Sequence, residues 1–167
     1  NKSMVELENE PAETIDVLVI GDRESYTTVS PMEIWDKEGI PSYVGGQTGQ
    51  KIQESYYMLK KALKTQKPKV VAIETNMIFR SQSAVRGIKE TLVQTMLYYF
   101  PVFRLHNSWK AWVTGEDKRS QTFYKGFVLR DVVEAYTGGS YMKKTAKTER
   151  MSRITRFMMD QIVSLCR

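Results

Sequence analysis

Apolar residues in this chain follow two rhythms: short β-branched runs, and longer stretches in which they recur every three or four positions. Ile15 to Ile20 is the first short run, and its end at Gly21 suits a strand covered on both faces. Ser30-Pro31 opens a short helical segment, Met32 to Lys37, which Gly39 stops. Ile40 to Val44 is a second strand candidate, followed by the glycine-rich turn Gly45 to Gln50. Ile52, Tyr56, Leu59 and Leu63 then mark one face of a long helix, with Lys51, Lys60, Lys61 and Lys64 mostly turned outward. Pro68 ends that helix, and Lys69 to Glu74 is a third buried strand.

Val85, Ile88, Leu92, Met96 and Tyr99 form a second helical stripe, closed by Pro101. From Val102 to Lys147 the chain is irregular, aromatic and dotted with glycine; Met151, Ile154, Met158, Ile162 and Leu165 then share one face of a last helix. Strand, helix, strand, helix in this order predicts βαβ units and a parallel sheet, hence an α/β fold. In such sheets the functional crevice lies beyond the carboxyl ends of the strands. Gly21-Asp22-Arg23, Gly45 to Gly49 and Glu74-Thr75-Asn76 all fall there.

Composition narrows the function classes. A chain of 167 residues, 41% hydrophobic and 26% charged, has the size and balance of one soluble globular domain. Residues 1–14 carry four Glu and read as a polar tether into a domain over 15–167. No apolar run approaches the roughly 20 residues that span a bilayer. A net charge of +6 favours anionic partners, either nucleic acid or an anionic envelope polymer. Lys and Arg are scattered among carboxylates, which argues against nucleic acid. With Cys166 and His106 the only residues of their kinds, a zinc site of the Cys/His type is excluded.

One set of motifs carries a family resemblance. It comprises Gly21-Asp22-Arg23-Glu24-Ser25-Tyr26 with Ser30-Pro31, Ile40-Pro41-Ser42-Tyr43 with Gly46-Gln47 and Gly49-Gln50, and Lys67 to Val71 running into Glu74-Thr75-Asn76. His106-Asn107-Ser108-Trp109 and Tyr124-Lys125-Gly126-Phe127 complete it. From about Ile15 to its end the chain resembles the SGNH (GDSL-like) hydrolases, in the envelope-associated branch similar to the D-alanyl-lipoteichoic acid biosynthesis protein. The resemblance implies a flavodoxin-like three-layer fold, with a parallel sheet of order 2-1-3 present and later strands missing. It also implies ester hydrolysis or acyl transfer on envelope polysaccharide or a teichoic-acid-like polymer, an extracellular location and no cofactor.

In that family a Ser directly after Gly-Asp attacks the ester, and an Asp-x-x-His block supplies the base. A Ser hydroxyl needs such a base before it becomes a useful nucleophile. Oxyanion donors, each worth about 3–4 kcal/mol, come from the Ser amide, a second-block Gly and a third-block Asn. By resemblance Gly46 or Gly49 takes the Gly position and Asn76 the Asn position; Asp22, Arg23 and Glu74, at the strand ends, are ligand-binding candidates in their own right. Arg23 stands where the nucleophile belongs, and an arginine forms no acyl-enzyme. The chain ends at Arg167, before any Asp-x-x-His block. The resemblance therefore implies a copy without its own acyl-transfer chemistry.

Each residue has a plainer reading beside the functional one. Arg23 either pairs with Asp22, Glu24 or Glu74, or engages an anionic ligand, or is a simple replacement of Ser. Ser25 is two residues too far along to substitute as nucleophile. Gly45, Gly46 and Gly49 are strand-to-helix turn residues or an anion cradle. Asn76 satisfies loop amides or faces a substrate, His106 is a structural histidine, and the aromatics from Trp109 to Tyr141 are core or a sugar platform. A 2-1-3 sheet also leaves Lys69 to Glu74 as an edge strand. That edge is expected to pair with a second chain, to be covered by Val102 to Lys147, or to promote aggregation.

Overall fold

The computed structural model describes residues 6–80, 83–100, 124–129, 148 and 150–167. His106, Trp109, Trp112, Tyr136 and Tyr141 lie outside the described residues, as does most of the segment from Val102 to Lys147. The elements in order are β1 (Val17–Gly21), α1 (Arg23–Thr28), α2 (Pro31–Glu38), β2 (Ser42–Gly46), α3 (Ile52–Ala62), β3 (Val70–Ile73), α4 (Asn76–Phe79), α5 (Ala84–Tyr99) and α6 (Arg153–Leu165). All three strands are parallel, in the order β2-β1-β3, and the fold is α/β.

The register explains which residues become core. Leu18 lies opposite Tyr43 and Val71, and Ile20 opposite Gly45 and Ile73, on one face of the sheet. That face packs with Ile52, Met58 and Leu59 of α3 and Met158 and Ile162 of α6, all buried. Val19 and Val44 point the other way, towards the side against which α1 and α2 lie. On β3 no helix covers this second face among the described residues, and Val70 is 53% exposed. Ser30 caps α2 by accepting from the Glu33 N–H, Pro31 fills the first turn, and Gly39 stops the helix at φ 65°.

Residues 6–14 correct the reading of a polar tether. Leu7 is buried in the main core. The Gln66 side chain accepts from the Thr14 and Ile15 N–H groups and donates to the Pro11 carbonyl. Glu8, Glu10 and Glu13 pair with Lys61, Lys125 and Lys67. Three of the four Glu that suggested a solvated leader instead supply partners for lysines on the domain, and one leucine supplies the anchor.

Only residues 124–129 of the segment expected at the β3 edge are among the described residues. The described part of the Val102 to Lys147 segment lies along β2, where the Lys125 carbonyl accepts from the Val44 N–H at 2.9 Å. Gly126 allows this approach: its φ is +88°, and a Cβ there would sit 1.7 Å from the Val44 carbonyl oxygen. Among the described residues no strand pairs with the outer edge of β3.

Helix α5 is turned the opposite way from an ordinary amphipathic helix, whose apolar stripe faces the core. Its inward side is Gly87, Glu90, Thr91, Gln94 and Thr95. A Cβ on Gly87 would meet the Ile154 side chain at 2.8 Å, so the glycine lets α6 approach. Glu90 pairs with Lys51, Gln94 donates to Glu54 and Glu90, and the Thr95 hydroxyl bonds that of Tyr57 at 2.5 Å. Burial pushes the Glu54 carboxyl above its ordinary value and Glu90 adds to the rise, against the N–H bond and charge of Lys51. Polar groups on α3 thus select the polar face of α5, and the apolar stripe is left outside.

Candidate functional site

At the carboxyl end of β1 the chain turns at Asp22, which is buried. Its extended backbone makes it the cap of α1, where Oδ1 accepts from the Arg23 N–H at 2.7 Å. The same oxygen accepts from the Gly49 N–H at 2.6 Å, in the loop after β2. Oδ2 accepts from the Arg80 guanidinium at 2.5 Å, just after α4. Arg80 also donates to the Gln50 carbonyl at 3.3 Å. One carboxylate therefore ties together the loops that follow all three strands.

A second carboxylate completes the tie. Glu74, next after β3, accepts through Oε2 from the Asp22 N–H at 2.7 Å and from the Ser25 hydroxyl at 2.5 Å. Its Oε1 is buried without a hydrogen-bond partner among the described residues. Across the crevice the Tyr26 hydroxyl bonds that of Thr48 at 2.8 Å, linking α1 to the β2 loop again. Burial by itself raises the Asp22 pKa. The Arg23 N–H, the Arg80 guanidinium and the Gly49 N–H outweigh it, and the carboxyl titrates below its ordinary value.

The glycines divide into two kinds. Gly21 and Gly46 are close-approach positions in paired strands. A Cβ on Gly21 would lie 1.8 Å from the Ser25 hydroxyl oxygen, and one on Gly46 would lie 2.5 Å from the Gly21 carbonyl oxygen. Gly49 has open space around it and a φ of +74°, so its backbone conformation is the reason for glycine there. Its amide, a candidate oxyanion donor by sequence, serves Asp22 here.

The remaining candidates are placed as follows. Arg23 is the first residue of α1 and exposed; it forms no ion pair among the described residues, and it is Arg80 that pairs with Asp22. Ser25 is buried and bonded to Glu74. Asn76 opens α4, is exposed, and accepts from the Arg80 N–H through its backbone carbonyl. Arg80 was not among the sequence candidates. Its signal was faint: a lone basic residue following the apolar Met77-Ile78-Phe79.

A cavity of about 530 Å³ lies at the opposite end of the sheet, between Ile15, Pro41, Ser42, Trp35 and Lys125. It shares no residue with the Asp22 cluster, and the crevice remains the candidate site by its convergence of charged groups. Among the described residues no group of His, Cys, Asp and Glu is arranged to hold a metal ion. No protein-family model matches the chain, and no curated protein or solved structure matches it.

Proposed function

We propose that this chain is an SGNH-like domain of the serine ester hydrolase and acyltransferase type. It is directed at cell-envelope polysaccharide or a teichoic-acid-like polymer on the extracellular side of a bacterial envelope, and it carries out no acyl transfer itself. The observation that supports this reading is the state of the crevice. A guanidinium heads α1 where the family has its nucleophile, and the nearest hydroxyl, Ser25, is buried against Glu74. A carboxylate acceptor 2.5 Å from Ser25 resembles a nucleophile–base pair, but the same Glu74 oxygen already accepts from the Asp22 amide. The pair is thereby a strut inside the fold.

A second reading, a non-catalytic domain for anionic ligands or glycopolymers, is favoured by the exposure of Arg23 and its freedom from ion pairs among the described residues. Guanidinium groups bind phosphate and carboxylate through paired, charge-assisted hydrogen bonds. Self-association through Lys69 to Glu74 belongs to the proposal as well, supported by an outer edge of β3 that no strand pairs with among the described residues.

Two measurements test these readings together. With p-nitrophenyl acetate the chain is expected to leave the rate at the buffer level; turnover that Ser25→Ala abolishes overturns the non-catalytic assignment. Calorimetric titration with poly(glycerol phosphate) is expected to show binding that Arg23→Ala weakens about ten- to hundredfold, the loss expected for one charge-assisted contact. Equal binding by both chains removes Arg23 from the site.

A further inference from the structure

The outward face of α5 is the largest departure of this fold from ordinary burial. Val85, Ile88, Leu92, Met96 and Tyr99 follow one another at helical spacing and are 80%, 56%, 65%, 42% and 60% exposed. Phe100 extends the stripe past the helix end. A contiguous apolar surface of this kind on a folded domain marks an interaction site. The exposed charges of α5 itself have one sign. Arg86 and Lys89 are exposed near the N-terminal end of the helix, whereas Glu90, its single carboxylate, is turned inward onto Lys51. At the other end Lys60 lies 5.4 Å from the Tyr98 ring centroid and 5.8 Å from that of Tyr99, and Lys64 lies 5.2 Å from that of Tyr98.

From this arrangement we infer that α5 docks the domain onto an anionic phospholipid surface, lying in the interface with its apolar stripe inserted. Apolar side chains along the middle, cations at both ends and tyrosines at one of them match what an interfacial helix presents to lipid. A second copy of the chain fits poorly. Antiparallel pairing of two α5 helices brings Arg86 and Lys89 beside the other copy's Lys60 and Lys64, and parallel pairing sets each cation against its equal. A negatively charged bilayer satisfies both ends at once. The helix lies on the membrane and does not cross it: among the described residues no helix is long and apolar enough to span. The inference is independent of Arg23 and the crevice.

The test is co-sedimentation of the full chain with phosphatidylcholine vesicles, either pure or containing about one-third phosphatidylglycerol, at roughly 0.1 M salt. The chain is expected to pellet with the mixed vesicles, to stay in solution with the pure ones, and to be released as salt is raised. Leu92→Glu is expected to weaken partitioning more than about tenfold through loss of inserted apolar surface. Arg86→Ala combined with Lys89→Ala is expected to weaken it about 30-fold while leaving the stripe intact. That pair reads the electrostatic contribution even if Leu92→Glu fails to fold. A chain that ignores the mixed vesicles, or binds them equally well in both variants, overturns the inference. So does a stable dimer in solution that Leu92→Glu splits, which would assign the face to a second copy.

Discussion

Asp22→Asn is expected to lower the unfolding free energy at neutral pH by about 3 kcal/mol, measured by urea titration of tryptophan fluorescence. The magnitude follows from what the carboxylate holds. Its two oxygens accept from the Arg23 and Gly49 amides and from Arg80, and the side chain is 6% exposed. An asparagine amide matches this donor set with only one oxygen and turns an N–H towards a donor. Arg80 is 40% exposed and finds water after the change, which keeps the loss at the lower end of the range for a broken buried pair.

Acid titration gives the same prediction a sign. The Asp22 carboxyl titrates below its ordinary value of 3.8, because the hydrogen bonds and the Arg80 charge outweigh the opposing effect of burial. A group whose pKa is lowered by folding contributes fully above its unfolded value, and the contribution disappears as pH falls through the folded one. The wild-type and Asp22→Asn stabilities should therefore converge in acid. A gap that stays constant as pH falls would mean that Asp22 contributes no charge-dependent stability.

Gly21→Ala is the second large effect, expected at about 2–4 kcal/mol of destabilisation. The new methyl would lie 1.8 Å from the Ser25 hydroxyl oxygen and 2.5 Å from Glu74 Oε2. It must push Ser25 out of its bond, and it does so at the end of the central strand, where Gly21 pairs with Gly46 and its neighbour Ile20 is paired on both sides, so the backbone has little room to shift. Ser25→Ala in the same background is expected to recover only part of the loss, since the Ser25 Cβ itself lies 2.7 Å from the new atom. Full recovery would show that the hydroxyl alone sets the constraint.

Much of this was legible in the residues. The β-branched runs at 15–20, 40–44 and 69–74 became β1, β2 and β3 with ends shifted by one or two positions, because apolar period and turn residues both marked them. Convergence of the three loops followed from the parallel order. The crossed partners were not legible. Arg80 reaches Asp22 from 58 residues away, and no local pattern distinguishes its guanidinium from any other exposed one. Leu7 sits alone among glutamates, so periodicity gave no hint of its burial. The α5 stripe was visible as a pattern, but its direction depended on Lys51, Glu54 and Tyr57 of another helix. Periodicity reports that two faces differ, and not which one a neighbour will choose.

The central claim is that Asp22 gathers three loops into one crevice with Arg23 at its head. Amide chemical-shift mapping of the ¹⁵N-labelled chain during titration with poly(glycerol phosphate) tests it most directly. The expected shifts fall together on Arg23, Gly49 and the Thr75-Asn76 turn, and Arg23→Ala removes them as a set. Shifts confined to one of these loops, or found only at Trp35 and Lys125 around the opposite cavity, would contradict it.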